Sequence, residues 1–176
     1  QARAAAGLES AGQRERGTPP DGRLVFECIR KTRGYLSLTG MPVLIVVAHP
    51  DDEVLGCGAT AAALASSLEV RTCILCADAA ARQRRPDLRD LMEDIRTAER
   101  ILGLREAVFG GFPNLELNTV PHRYLVEFIE SAIAETDSDI IFTHHPGDLN
   151  DDHRHTSLAC QAAARLHQRR PGIRGL

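Results

Sequence analysis

Between residues 43 and 168 the chain alternates short, β-branched apolar runs with stretches of helical periodicity, four times over. Strand followed by helix, repeated, is the pattern of a parallel sheet with helices on both faces. Val43-Leu44-Ile45-Val46-Val47-Ala48 is apolar without interruption, as a strand buried on both sides must be. A helix is expected from about Val54 to Ser67, preceded by Asp52 and Glu53, whose charge suits the positive end of the helix dipole. Val70–Cys76 reads as the second strand. Leu88, Leu91/Met92, Ile95, Ala98 and Leu102 recur at helical spacing, with Gly103 as the cap. Ala107-Val108-Phe109 is a short third strand. Pro121 opens a helix with Leu125, Phe128/Ile129 and Ala132 on one face. Asp139–Thr143 is the fourth strand, and a last helix is expected from about His153 to Gln168. Right-handed crossovers then give an α/β, three-layer Rossmann-like core with a parallel sheet in the order 3-2-1-4.

That order makes strands 1 and 4 neighbours, and the crevice at their carboxyl ends is the switch point where ligands bind. His49-Pro50-Asp51-Asp52-Glu53 follows strand 1. His144-His145-Pro146-Gly147-Asp148-Leu149-Asn150-Asp151-Asp152-His153 follows strand 4. These are the densest His/carboxylate clusters in the chain, and the topology brings them side by side. Two His and one carboxylate with an open position make a hydrolytic zinc set, and equally the facial triad of non-haem iron. A carboxylate beside such a site can act as general base. Spacing alone does not separate Asp51 from Asp52 as ligand.

Composition excludes other classes. The chain has 176 residues, enough for one ordinary domain, with a net charge of −3 and no evident basic face, so nucleic acid is not the expected partner. No apolar run reaches the roughly 18 residues of a membrane span. Residues 1–40 lack the apolar stretch of a signal peptide. Five scattered cysteines argue against a disulfide framework and for a reducing compartment, so a cytoplasmic location is expected. Cys73 and Cys76 form a C-x-x-C, but inside an apolar run, and are read as small core residues on a strand. Gly56-x-Gly58 lacks the third glycine of a dinucleotide fingerprint and is read as close packing.

Ala48-His49-Pro50-Asp51-Asp52-Glu53, Gly56-Cys57-Gly58 and His145-Pro146-x-Asp148-x-Asn150-x-Asp152-His153 together resemble the PIG-L/LmbE-like N-acetylglucosaminyl deacetylases. The resemblance covers residues 41–176 and implies a zinc-dependent amidohydrolase that removes acetyl from an N-acetylglucosamine-type sugar conjugate. By position it implies His49, Asp52 and His153 as ligands of Zn2+, with Fe2+ the alternative ion. Asp51 would be the general base, and Asp152 a partner that orients a neighbouring imidazole or the metal site. Asn150 stands where several relatives carry an oxyanion-stabilising His and is implied as a catalytic residue that can donate a hydrogen bond but not carry a proton, which leaves His144, His145 and His155 as candidates for the acid. Arg82 and His145 are the expected substrate-binding side chains, although Arg82 reads equally well as a solvated loop residue beside Arg84 and Arg85. Residues 1–40 are expected to be an accessory, disordered extension. The domain at 41–176 is expected to be incomplete at its C-terminus, because relatives continue further. Two alternatives stay open: a fragment that binds metal or sugar without turnover, and a non-haem iron oxygenase using the same triad. An oligomer is also open. Seven aromatics and no Trp give few platforms for stacking on a sugar ring.

Overall fold

A computed structural model of the chain describes residues 40–77 and 88–165. The expected extension before residue 40, Arg82, and the part of the last helix after residue 165 lie outside the described residues. The elements are β1 (Val43–Val47), α1 (Asp52–Ala65), β2 (Val70–Ile74), α2 (Leu88–Leu102), β3 (Arg105–Phe109), a short 3-10 turn (Leu117–Thr119), α3 (His122–Thr136), β4 (Ile140–Phe142) and α4 (Asp151–Ala164).

All strand pairs are parallel and the order is β3-β2-β1-β4, as expected. Val43 pairs with Val70 on one side and with Ile140 on the other. Every β1 residue is buried. Its alternate side chains feed two separate cores. Val43, Ile45 and Val47 pack with Ala61, Ile74 and Ile95, under α1 and α2. Leu44 and Val46 pack with Leu125, Ile129, Ala132, Ile133, Ala159 and Cys160, under α3 and α4. This is why the β1 sequence is apolar throughout rather than alternating: each face has its own helical layer.

Local signals explain most boundaries. Gly103 has φ +74, and the Leu104 N–H reaches the Glu99 carbonyl at 2.9 Å, which closes α2 as a Schellman cap. Pro121 takes the capping position (φ −52, ψ 123) rather than the first helical one, so α3 starts at His122. The last helix starts at Asp151, two residues before the expected start. Asn150 Oδ1 accepts the Asp152 N–H at 3.0 Å, a bond that satisfies a first-turn amide and extends the helix backwards. Asp152 and His153 therefore sit in the first turn of α4. On α1 the start is likewise earlier, at Asp52, and the helix kinks at Cys57, whose φ of −145 and ψ of 18 are not helical.

The C-x-x-C cysteines are core residues. Cys73 and Cys76 are fully buried and free. Burial pushes the Cys76 thiol up to about 12 and the Cys73 thiol higher still.

Candidate metal centre

The β1 and β4 carboxyl ends lie side by side, and a hydrogen bond ties the two loops: the Ala48 N–H donates to His144 Nε2 at 2.9 Å. His49 leaves β1, Asp52 opens α1, and His153 projects from the first turn of α4. Their ligand atoms form a triangle. His49 Nδ1 lies 3.4 Å from Asp52 Oδ2, His153 Nε2 lies 3.3 Å from the same oxygen, and the two nitrogens are 3.3 Å apart. A tetrahedral ion held at zinc-like distances spaces its ligand atoms about 3.3–3.6 Å apart. The donor set, two imidazole nitrogens and one carboxylate oxygen, therefore fits a divalent ion in both chemistry and spacing.

The far side of each imidazole is also held. His49 Nε2 lies 3.0 Å from Asp152 Oδ2. A proton on Nε2 fixes the tautomer and leaves the Nδ1 lone pair for the triangle. Asp152 is 2% exposed and also accepts the N–H groups of Leu115 (2.7 Å) and Leu117 (3.1 Å). One carboxylate thus joins the His49 ring to the loop after β3, where Leu115 sits at φ +63. On the other imidazole, Asp148 Oδ2 approaches His153 Nδ1 to 3.2 Å, as an ion-pair contact whose angle misses a hydrogen bond. Asp52 is anchored too, its Oδ2 accepting the His49 N–H at 2.9 Å.

The electrostatics follow from these contacts. Burial opposes the Asp52 charge, yet the hydrogen bonds from His49 and the nearby His144 and His153 outweigh it and hold the carboxyl below its ordinary range. Burial likewise opposes a charged His49, but its bonds to Asp52 and Asp152 prevail and raise its pKa. His144 stacks on His153 at 3.9 Å and lies 3.5 Å from Asp52. Burial, then His153, lowers its pKa to about 4. It is neutral at pH 7, and because Nε2 accepts from Ala48, its proton sits on Nδ1.

The structure thus gathers His49, Asp52, His153 and Asp152, with Asp51 at the turn between them. Asn150 is placed as the cap of α4. His145 is not brought into the cluster: it is exposed, and its Nδ1 accepts the Gly147 N–H at 3.0 Å, which turns the ring onto its own loop. His155 pairs with Asp151 at 3.5 Å. Among the proton-donor candidates only His144 stands against the triad. Three contributions escaped the sequence reading: Asp148 behind His153, Glu53 behind Asp51, and the loop after β3. The first two lie within the quoted motifs, so their type was visible but not their direction. The loop enters through backbone N–H groups, which carry no side-chain signal.

Comparison with known proteins agrees with this geometry. The family model described as PIG-L, GlcNAc-PI de-N-acetylase, matches residues 44–164. No curated protein matches the chain. Among solved structures, the conserved protein TT1542 from Thermus thermophilus is similar at 29% identity, with a TM-score of 0.63, over 74% of this chain and 58% of that one. N,N'-diacetylchitobiose deacetylase from Pyrococcus horikoshii is similar in fold, at 18% identity and a TM-score of 0.66, over 90% and 63% of the two chains. The zinc-inhibited form of teicoplanin deacetylase Orf2 shares the fold at 18% identity and a TM-score of 0.61, over 73% and 64%. The chain spans less than two thirds of the length of each of these three proteins. With the family model running through both ligand-bearing loops and across more than half of the residues, this chain belongs to the PIG-L (GlcNAc-PI de-N-acetylase) family.

Proposed function

We propose that the chain is a metal-dependent N-deacetylase that hydrolyses the acetamide of an N-acetylglucosamine-type sugar conjugate. The observation that carries this reading is the triangle of His49 Nδ1, Asp52 Oδ2 and His153 Nε2, with edges of 3.3–3.4 Å. The family supports a hydrolytic deacetylase, and two neighbours of the same fold are named as N,N'-diacetylchitobiose deacetylase and teicoplanin deacetylase. Zinc is the proposed ion, with iron(II) as the alternative that the same ligands accept.

When bound, the ion would polarise the amide carbonyl and make water acidic enough to attack near neutral pH. The chain's own residues do the rest. Asp51 takes the proton of the attacking water and can return it to the amine that leaves as the C–N bond breaks. Asp152 keeps His49 in one tautomer and one orientation. His144, neutral with its proton on Nδ1, offers a hydrogen bond to the oxygen that gains charge, and not a proton. Asn150 caps α4 through Oδ1, which leaves its Nδ2 amide as the donor it would bring to that task. Arg82 is retained as a proposed substrate contact. Residues 1–40 are proposed to lie outside the catalytic domain.

The test is acetate release from a panel of N-acetylglucosaminyl conjugates, with zinc or iron(II) added, alongside metal analysis of protein purified without chelator. Metal-dependent release of acetate is expected. A stoichiometric ion with no release from any conjugate would leave a binding protein, and no divalent ion at all would overturn the metal site itself.

A further inference from the structure

Asp51 has φ 120 and ψ −28, a conformation that L side chains rarely adopt. It also occupies the capping position of α1. An aspartate there ordinarily turns its carboxylate onto the N–H groups of the first helical turn. Asp51 makes no such bond. The reach runs the other way: Glu53 bends back, and its Oε2 accepts the Asp51 N–H at 3.1 Å. A capping box pairs this backward reach with a forward bond from the capping side chain. At α1 the backward reach comes from Glu53, two positions on rather than three, and no forward bond accompanies it.

The consequence concerns Asp51. Its carbonyl is fixed by the Val54 and Leu55 N–H groups at 3.1 and 2.9 Å. Its N–H is fixed by Glu53, a side chain only 4% exposed. The backbone is gripped on both sides of the Cα, and the strained φ is held between the two grips. The Asp51 carboxylate is thereby kept off the helix end.

We propose that Glu53 is a positioning residue. By holding the Asp51 N–H it fixes the backbone conformation in which the Asp51 carboxylate stays off the α1 N-terminus, the conformation that proton transfer needs. Without that grip, Asp51 relaxes to an ordinary capping conformation and turns its carboxylate onto α1. The proposal rests on Asp51 being the general base.

Glu53→Gln and Glu53→Asp test it in opposite directions, in the metal-loaded full chain. Glutamine removes the charge but keeps an oxygen that reaches the Asp51 N–H. Aspartate keeps the charge but is one methylene too short. In Glu53→Asp, exchange of the Asp51 amide proton, followed by NMR, should accelerate by about tenfold or more as its bond opens. The kcat should fall by on the order of 100-fold, as a misplaced catalytic group predicts, with KM and metal content unchanged. In Glu53→Gln both the amide protection and kcat should stay near wild type. Unchanged Asp51 protection in Glu53→Asp overturns the proposal. So does wild-type kcat in Glu53→Asp despite lost protection, and so does a Glu53→Gln variant that keeps protection but loses kcat. A wild-type protein that releases no acetate would overturn the deacetylase reading instead, while the exchange measurement still decides whether Glu53 grips Asp51.

Discussion

The Asp152 carboxylate holds the outer nitrogen of His49 at 3.0 Å, although the two residues are 103 positions apart in sequence. The same carboxylate accepts the Leu115 and Leu117 N–H groups. Asp152→Ala should therefore fail twice. Metal affinity should drop roughly 10–100-fold, because His49 loses the partner that orients it. Stability should fall by about 1–3 kcal/mol for the buried Leu117 N–H left without an acceptor, and by less for Leu115, which is exposed. Competition titration with a chromophoric chelator reads the first effect and urea unfolding the second. Full metal affinity in this variant would show that the His49 orientation is set elsewhere.

Asp51 and His153 should separate cleanly. His153→Ala removes one corner of the ligand triangle and should lose the ion along with turnover. Asp51→Ala removes no ligand, so metal content should stay near wild type while kcat falls by about 10²–10⁴-fold, the range for loss of a general base. Alanine keeps a Cβ and so keeps the strained φ at Asp51, whereas Asp51→Gly relieves it and should be at least as stable as wild type. Metal analysis beside acetate release checks the pair. Loss of metal in Asp51→Ala would exchange the roles assigned to Asp51 and Asp52.

The sheet order was legible because β1 is apolar at every position, which only a strand covered on both faces tolerates. The convergence of His49 with His153 followed from that order, because β1 and β4 must then be neighbours. The ligand assignment within Asp51-Asp52 was not legible from spacing. It depends on which carboxylate the turn aims inward, and the turn includes a backbone angle, φ 120 at Asp51, that residue type does not announce. The start of α4 was placed too late for a related reason. Asn150 reads as a loop residue until its side chain is seen bonding the Asp152 amide. His145 and His144 are adjacent in sequence and chemically alike, yet only His144 joins the cluster. Ala48 fixes one ring and Gly147 turns the other away, and both contacts are made by backbone N–H groups.

The cysteines give an independent check on the fold. Cys73, Cys76 and Cys160 are fully buried, and burial raises each thiol, Cys76 and Cys160 to about 12. Thiolate is the reactive form, so these three should resist iodoacetamide in the native protein and react on unfolding. Cys57 is only partly buried and should label first among the four, although slowly, because burial and then Glu53 raise its pKa as well. Peptide mapping by mass spectrometry reads all four sites. Rapid native labelling of Cys73 or Cys76 would contradict the packed core and reopen a redox role for the C-x-x-C.

Metal binding should depend on pH with a sign fixed by His49. Its pKa is raised above 6.5 in the metal-free fold, since its bonds to Asp52 and Asp152 outweigh the opposing effect of burial. A protonated His49 thus stabilises the metal-free fold fully below 6.5, and this contribution is lost as pH rises through the folded pKa. A ligand must be neutral at Nδ1, so the ion has to displace that proton. Asp52, held below its ordinary range, is already ionised there, and His144, at about 4, is already neutral. Apparent zinc affinity should therefore fall by at least about tenfold per pH unit below the His49 pKa and level off above it. The rise in Tm on adding zinc should grow with pH across the same window. Isothermal titration in buffers of different ionisation enthalpy should also detect proton release on binding. Affinity that stays flat down to about pH 5.5, with no proton released, would show that His49 is not a ligand.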